Sequence, residues 1–359
     1  MALFEHLASG GHEQVVLCHD AATGLRAIIA VHSTVLGPGL GGTRFRPYAT
    51  DEEALEDVLR LSQGMTLKNA AAGLDFGGGK AVIIGDPAEL RSEALIRAYG
   101  RFVHSLGGRY RTAEDVGTTQ ADMDLIRRET PFVTGTSFSL GGSGDPSPAT
   151  AWGCLHAMYA VAEHLWGDPS LEERHVVVSG VGKVGSALVG HLVDVGARVT
   201  VADVVDAAVR RMVDEHGAAA VPVEEAHAVE CDVFAPCALG AVLNERTIPQ
   251  LRCAAVVGSA NNQLAEEADA KRIADAGVLY APDFVVNAGG VINIAEEVRG
   301  YDVERARVAV ARIHDNTAAV LATAQAEGTT TVEAAERVAG RRIEAMAAVR
   351  RIMKGAPET

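Results

Sequence analysis

The chain has 359 residues, 48% of them hydrophobic, and a net charge of −15 from 47 acidic and 32 basic residues. That is a globular composition of two-domain length, and its negative charge excludes nucleic acid and anionic membrane surfaces as partners. No apolar run reaches the roughly 20 residues that cross a bilayer, and five scattered cysteines without a CxxC imply free thiols in a reducing cytoplasm.

The N-terminal MALFEHLASGGHEQ lacks the basic start and long apolar core of a signal peptide, in line with a cytoplasmic location. Residues 15 to 35 then read as strand, turn and strand, followed by a Gly/Pro-rich loop, LGPGLGGTRFRPY. Thr50 and Glu53 form a capping box ahead of a helix with Leu55, Val58, Leu59, Ser62 and Met65 at helical spacing, and Lys68 falls near its end. KAVIIGD reads as a strand that starts at Lys80, SEALIRAYGRFVHSL as a helix, GGRYRTAEDVGTT as strand then loop carrying Asp115, and QADMDLIRRET as a short helix.

The linker GTSFSLGGSGDPSPAT is dense in Gly, Ser and Pro and marks a domain boundary. Beyond it come a helix over about 150–166, a strand at 175–179, a helix at 183–195 and a strand at 198–202. Short apolar strands follow at CDVFAPCA, AAVVGSAN and VLYAPDFVVN, and two helices, about 303–326 and 331–353, close the chain. Strands alternating with helices imply a parallel, doubly wound sheet. The expected fold is α/β with two domains, one over 1–140 and a Rossmann-type domain over 141–330, with a cleft between them.

HVVVSGVGKVGSALVGHLVDVGARVTVAD holds Gly180, Gly182 and Gly185 at GxGxxG spacing, with Lys183 and Val184 inside the motif. A strand leads in, a helix leaves, and a second strand ends at Asp203, placed to take the ribose hydroxyls. The carboxylate of Asp203 would repel a 2′-phosphate and no arginine follows it, which favours NAD over NADP. Lys183 occupies a variable position of the motif and reads as solvated.

Only five of the 32 basic residues are lysine, at 68, 80, 183, 271 and 354. Arginine cannot lose its proton in a protein whereas lysine can, and a second ammonium and partial burial both ease that loss. Lys80 follows three glycines in GLDFGGGKA, but a phosphate-binding GxxxxGK[ST] would need Gly at Leu74 and Ser or Thr at Ala81. The glycines are read instead as space in which a flat ligand lies beside Lys80. Lys68, Lys80 and Asp115 supply what dehydrogenation of an α-amino acid requires: a cation for the α-carboxylate, an amine to activate water, and a carboxylate to move protons at the amino group. The twelve histidines show no HxxxH and no cysteine partner at ligand spacing, so no metal is expected.

GPGLGGTR, GMTLKNAAAGLDFGGGKAVIIGDP, TAEDVGTTQADMD, GDPSPATA, DVFAPCALG, GSANNQLA and YAPDFVVNAGGVINIAEE together resemble the glutamate/leucine/phenylalanine/valine dehydrogenase family, most closely its leucine and valine members. The resemblance covers essentially the whole chain. It implies oxidative deamination of an L-amino acid to its 2-oxo acid and ammonium with reduction of NAD, reversibly, in a homo-oligomer. It further implies that Lys68 binds the substrate α-carboxylate, Lys80 is the base, Asp115 transfers protons, and Asn262 steadies substrate and nicotinamide. Thr150, Ala238 and Asn261 would line the nicotinamide end, and Arg44 would either reach the cofactor or serve a structural role. By the same resemblance the first domain, 1–140, is the catalytic, substrate and oligomerisation domain, and the last helix, about 331–359, packs back on it.

Glutamate-specific members place an extra lysine near the first GG, where this chain has Leu40. A site without that cation rejects a side-chain carboxylate, which would be desolvated unpaired. Leu40, Met65, Ala113, Val291 and Ile294 then form the expected apolar pocket, suited to leucine, valine or isoleucine. An aromatic substrate (phenylalanine or tryptophan) is the alternative, since one methylene of pocket shape is worth only about 1–3 kcal/mol. A non-catalytic NAD-binding protein on the same fold would be expected to have lost Lys68, Lys80 and Asp115.

Overall fold

A computed structural model describes Leu7 and residues 10–238 and 240–353; Leu239, Lys354 and the other residues of the two ends lie outside the described residues. The chain divides into two units. Unit 1 runs up to Asp145 and adds Ile294–Val303 and the stretch from Ala339 onward; unit 2 comprises Pro146–Asn293 and Glu304–Val338.

Unit 1 contains β1 (Gln14–Asp20), β2 (Leu25–Ser33), β3 (Gly39–Leu40), β4 (Thr43–Arg46), α1 (Asp51–Ala71), β5 (Gly77–Ile84), α2 (Pro87–Leu90), α3 (Glu93–Ser105), β6 (Tyr110–Arg111) and α4 (Gln120–Arg127). Its sheet runs β1-β2-β5-β3-β6, with β4 also on β5. β1 and β2, and β2 and β5, are antiparallel; β3 and β4 lie parallel to β5, one after the other along the same edge. Side chains alternate across a strand, and here both faces are buried. Ile28, Ala30 and Val82 meet Val58 and Leu59 of α1, while Ile29, Val31 and Ile83 meet Leu95, Ile96 and Tyr99 of α3. Each buried branched side chain contributes about 1.5–3 kcal/mol, so the alternation fixes the register of the sheet between its two helices.

Three local expectations change. Thr50 accepts the Glu53 amide at 3.1 Å, but the Glu53 side chain accepts from Ala49, so only half of the capping box forms. GLGGTRFR is not a loop: it supplies β3 and β4. The glycines before Lys80 belong to the strand, so Lys80 lies inside β5 rather than at its start.

Unit 2 contains α5 (Ser147–Trp166), β7 (His175–Ser179), α6 (Lys183–Asp194), β8 (Arg198–Ala202), α7 (Asp206–His216), β9 (Ala219–Ala220), β10 (Cys231–Pro236), β11 (Cys253–Val256), α8 (Ala268–Asp275), β12 (Leu279–Tyr280) and α9 (Asp283–Val286). The sheet is parallel, in the order β12-β11-β10-β7-β8-β9. Numbered from β7 and read from the β9 edge, that is 3-2-1-4-5-6, the Rossmann order, with its reversal between β7 and β10. DFVVN, expected within a strand, is helical, because Pro282 ends the extended run and Val286 N–H bonds back to its carbonyl. The chain continues through α10 (Gly289–Ala295), α11 (Val303–Ala311), α12 (Ile313–Glu327) and α13 (Thr331–Met353), with the first of the two expected closing helices broken near Arg312. Within unit 1, Arg342 of α13 donates to the Leu74 carbonyl at 2.6 Å and to Asp75 at 2.8 Å. Among the described residues no helix is long and apolar enough to cross a membrane.

Candidate active site

Period two along β5 sets Gly78, Lys80 and Val82 on the face that α1 covers. Lys80 pairs in register with Ala30 and is 7% exposed, and Lys68 stands in the last turn of the covering helix. Next to Lys68, the buried Asn69 donates to the Leu40 carbonyl at 3.1 Å and to the Gly77 carbonyl at 2.6 Å. One amide thus fastens the end of α1 to β3 and β5 together.

The glycine run is what allows this closeness. A Cβ at Gly78 would lie 2.0 Å from Thr66 Oγ1 and 2.4 Å from the Ser62 carbonyl oxygen, both on α1; one at Gly79 would lie 2.6 Å from the Tyr110 ring. At Gly77 it would fall 1.8 Å from the Ser33 carbonyl oxygen. The reading of these glycines as space for a ligand is therefore corrected. Protein atoms from both faces fill it, and the run serves to bring α1 and Tyr110 against the strand.

Gly41 and Gly42 do the same between β3 and β4. A Cβ would come within 2.0 Å of the Gly79 carbonyl oxygen at Gly41 and 2.8 Å of the Asp115 Cβ at Gly42. Asp115 thereby reaches the end of Lys80, with Nζ 2.8 Å from Oδ2. Its own backbone is held in a turn: the Asp115 amide donates to Thr118 Oγ1 at 2.9 Å, and that hydroxyl donates to the Thr43 carbonyl at 2.9 Å. Burial alone would push the Asp115 carboxyl up; Lys80, Arg44 and the Val116 amide outweigh it and hold the group below the usual carboxylate range.

Arg44 engages two carboxylates of unit 1, Asp115 through Nε at 3.3 Å and Asp57 through Nη1 at 2.9 Å. Leu40 and Ala113 are fully enclosed, and Met65 Cγ would stand 3.0 Å from a Cβ at Gly41. Val291 is buried within unit 2, and Ile294, the first residue of the returning segment of unit 1, is half-buried. Asp57, Tyr48 and Asn69 were not singled out in the sequence. Asn69 had a faint signal, an amide within the otherwise small-residue run that follows Lys68; Asp57 had none, since an acid on a helix face is ordinary.

In unit 2 the three motif glycines have three different surroundings. Gly180 has φ +100°, and a Cβ there would strike the Ala238 amide nitrogen at 2.5 Å; at Gly185 it would strike the Gly180 carbonyl oxygen at 1.9 Å. At Gly182 it would meet nothing within 4 Å. These are the needs of a dinucleotide turn: a left-handed bend, an open approach to backbone amides, and close helix-to-strand packing. Asp203 accepts the Val181 amide at 2.7 Å and the Val205 amide at 2.9 Å. The residues present therefore fit NAD. Lys183 is exposed and Val184 partly so at the first turn of α6. Ala238 follows β10 on the other side of the strand-order reversal. Asn262 has φ +52°, and its carbonyl accepts from Ala241 at 2.6 Å. Asn287 donates to Asn261 Oδ1 at 2.8 Å, and Thr150 Oγ1 lies 2.9 Å from where a Cβ at Gly290 would stand.

Residues 12–132 match the family model for the Glu/Leu/Phe/Val dehydrogenase dimerisation domain, and residues 141–351 match that for Glutamate/Leucine/Phenylalanine/Valine dehydrogenase. The chain is 53% identical over 346 residues to leucine dehydrogenase from Geobacillus stearothermophilus, covering 96% of this chain and 94% of that one. It is 54% identical over 341 residues to valine dehydrogenase from Streptomyces virginiae, covering 94% and 95%. Among solved structures, L-tryptophan dehydrogenase from Nostoc punctiforme aligns with a TM-score of 0.87 at 41% identity, covering 96% of this chain and 99% of that one.

Proposed function

Because the chain belongs to the Glu/Leu/Phe/Val dehydrogenase family, we propose that it carries out reversible, NAD-dependent oxidative deamination of a branched-chain L-amino acid to the 2-oxo acid and ammonium. The observation that carries the assignment of roles is the Lys80–Asp115 contact, 2.8 Å long and largely shielded from water, on the sheet face that α1 covers. NAD, held by the Gly180–Gly185 turn and Asp203, supplies the acceptor for the α-hydride. Lys68 binds the substrate α-carboxylate and fixes which bond faces that acceptor. Once the α-carbon has lost hydride and become an iminium carbon, Lys80 Nζ takes a proton from the attacking water. Asp115, which took a proton from the substrate ammonium before hydride loss, returns it to the amino group of the carbinolamine; the C–N bond breaks, the departing ammonia takes the hydroxyl proton and leaves as ammonium, and the oxo acid remains. A short contact between base and carboxylate keeps both proton acceptors beside the reacting carbon and away from bulk water. Asn262 steadies substrate and nicotinamide, while Thr150, Ala238 and Asn261 line the nicotinamide end.

Leu40, Met65 and Ala113 of unit 1, read as lining the substrate side chain, include no cation, which supports an apolar substrate and disfavours glutamate. The relatives at 53% and 54% identity are a leucine and a valine dehydrogenase, which supports an aliphatic one. The 41% likeness to a tryptophan dehydrogenase makes an aromatic amino acid the second reading. Initial rates of NADH and NADPH formation across a panel of L-amino acids decide between them. Valine, leucine or isoleucine with NAD should lead, and a leading rate on phenylalanine or tryptophan would overturn the assignment. The protein acts as a homo-oligomer in the cytoplasm, a reading supported by the dimerisation-domain match and by the outer strand β1, which leaves Leu17 67% exposed. A monomeric mass by light scattering would refute the assembly.

A further inference from the structure

The carboxylate of Asp115 does not face Lys80 alone. Lys80 from β5 and Arg44 from β4 both bind the same oxygen, Oδ2, at 2.8 and 3.3 Å. Tyr110 of β6 is a further titratable group near it, and burial keeps that phenol protonated. Behind Arg44 stands an anchor that touches no part of the proposed chemistry. Asp57 of α1 takes Arg44 Nη1 at 2.9 Å, the Tyr48 hydroxyl at 2.8 Å and Arg60 at 2.9 Å, with its side chain only 10% exposed. Tyr48 is a neutral donor here, its phenol pushed up by burial and by Asp57. Arg60 is mostly exposed and closes the outer end.

We infer that Arg44, anchored by Asp57, is a positioning residue for Asp115: it holds one carboxylate oxygen against Lys80 and opposes protonation of that carboxylate. The inference rests on the proton-transfer role proposed for Asp115 and extends it. A group that must alternate between carboxylate and acid needs its proton affinity set, and a fixed guanidinium at hydrogen-bond range sets it in one direction. A neighbouring Arg lowers a carboxyl pKa by about 1–3 units. Lys80 cannot hold the affinity steady by itself, because its own charge changes during turnover; Arg44 keeps its charge throughout. The planar fork also explains the geometry, with Nε on one acid and Nη1 on the other, an arrangement that a point charge would not impose.

The test is the pH dependence of kcat and kcat/KM for three variants of the full-length enzyme. Arg44→Met should move the acid limb about 1 unit or more toward higher pH. Arg44→Lys, which keeps the charge, should return the limb most of the way while kcat stays depressed. The double variant Arg44→Met/Asp57→Asn removes the anchor together with the residue that it anchors, so no unpaired buried charge remains, and should show the same limb as Arg44→Met. Titration of the Asp115 carboxyl, followed by ¹³C NMR of labelled aspartate and assigned with Asp115→Asn, reads the same shift without turnover. That titration moving in an enzyme inactive on every amino acid would sink the proposed function but support this inference. A limb and a carboxyl titration unchanged in Arg44→Met, with only the KM for NAD raised, would overturn it and make Arg44 a cofactor contact.

Discussion

Adding one methyl group at Gly78 and one at Gly182 should have opposite consequences. At Gly78 the new Cβ would lie 2.0 Å from Thr66 Oγ1, 2.4 Å from the Ser62 carbonyl oxygen and 2.5 Å from the Thr66 amide nitrogen. Two of those three atoms are backbone of α1, so no side-chain rotation relieves the clash and the helix must move. Overpacking of this kind costs about 1–3 kcal/mol, and backbone contacts put it at the upper end. About 3 kcal/mol lowers Tm by about 6–12 °C for a unit of this size. Gly182→Ala meets nothing within 4 Å, and its φ of −69° suits any residue, so Tm should stay within about 2 °C. Its methyl would instead occupy the approach to the backbone amides, weakening NAD at least tenfold, or about 1.4 kcal/mol. Differential scanning calorimetry and a fluorescence titration with NAD read the two quantities separately. Gly78→Ala that melts with the wild type and raises only the KM for the amino acid would refute the account of the glycine run as packing space.

Lys80→Ala should abolish turnover, by at least about 10³-fold, while NAD still binds, because the motif glycines and Asp203 belong to the other unit; near-normal turnover would remove Lys80 as the base. Glu297 accepts the Gly135 and Ser143 amides at 3.0 and 2.8 Å, and burial raises its carboxyl above the usual value of 4.5 despite those bonds. A raised carboxyl pKa means that the folded state binds the proton more tightly than the unfolded one. The stabilisation is complete below pH 4.5 and fades as pH rises through the folded value. Melting temperatures measured between pH 5 and 7.5 should therefore show wild type losing stability relative to Glu297→Gln, whose neutral amide does not titrate, as pH rises, and a constant or opposite trend would contradict the assigned direction.

What could be read from the sequence was whatever repeats with a period. The strand–turn–helix–strand run from His175 to Asp203 carries its own pattern, and the strands at 175–179 and 198–202 fall where the alternation put them. The Lys68, Lys80 and Asp115 set could be proposed because a chain poor in lysine draws attention to two of them. The purpose of Gly77 to Gly79 was not legible, since a glycine that admits a ligand and one that admits a helix look identical until the helix is placed. β3 and β4 were missed for the same reason: short strands made of GL and TRFR take their order from β5 alongside, not from their own residues. Asp57 matters only through Arg44, a pairing across 13 positions that no spacing rule announces.

The order in which the chain visits its two units bears on how the protein is made. Unit 1 opens the sequence, yet it also owns Ile294–Val303 and everything from Ala339 onward. A ribosome releases the strand bearing Lys80 and the turn bearing Asp115 early, and domains commonly fold as they emerge. This one cannot finish until its last helix is translated, and Arg342 supplies the anchor that Leu74 and Asp75 wait for. A nascent chain stalled between residues 295 and 338 therefore carries all the residues assigned to chemistry while part of unit 1 is still missing.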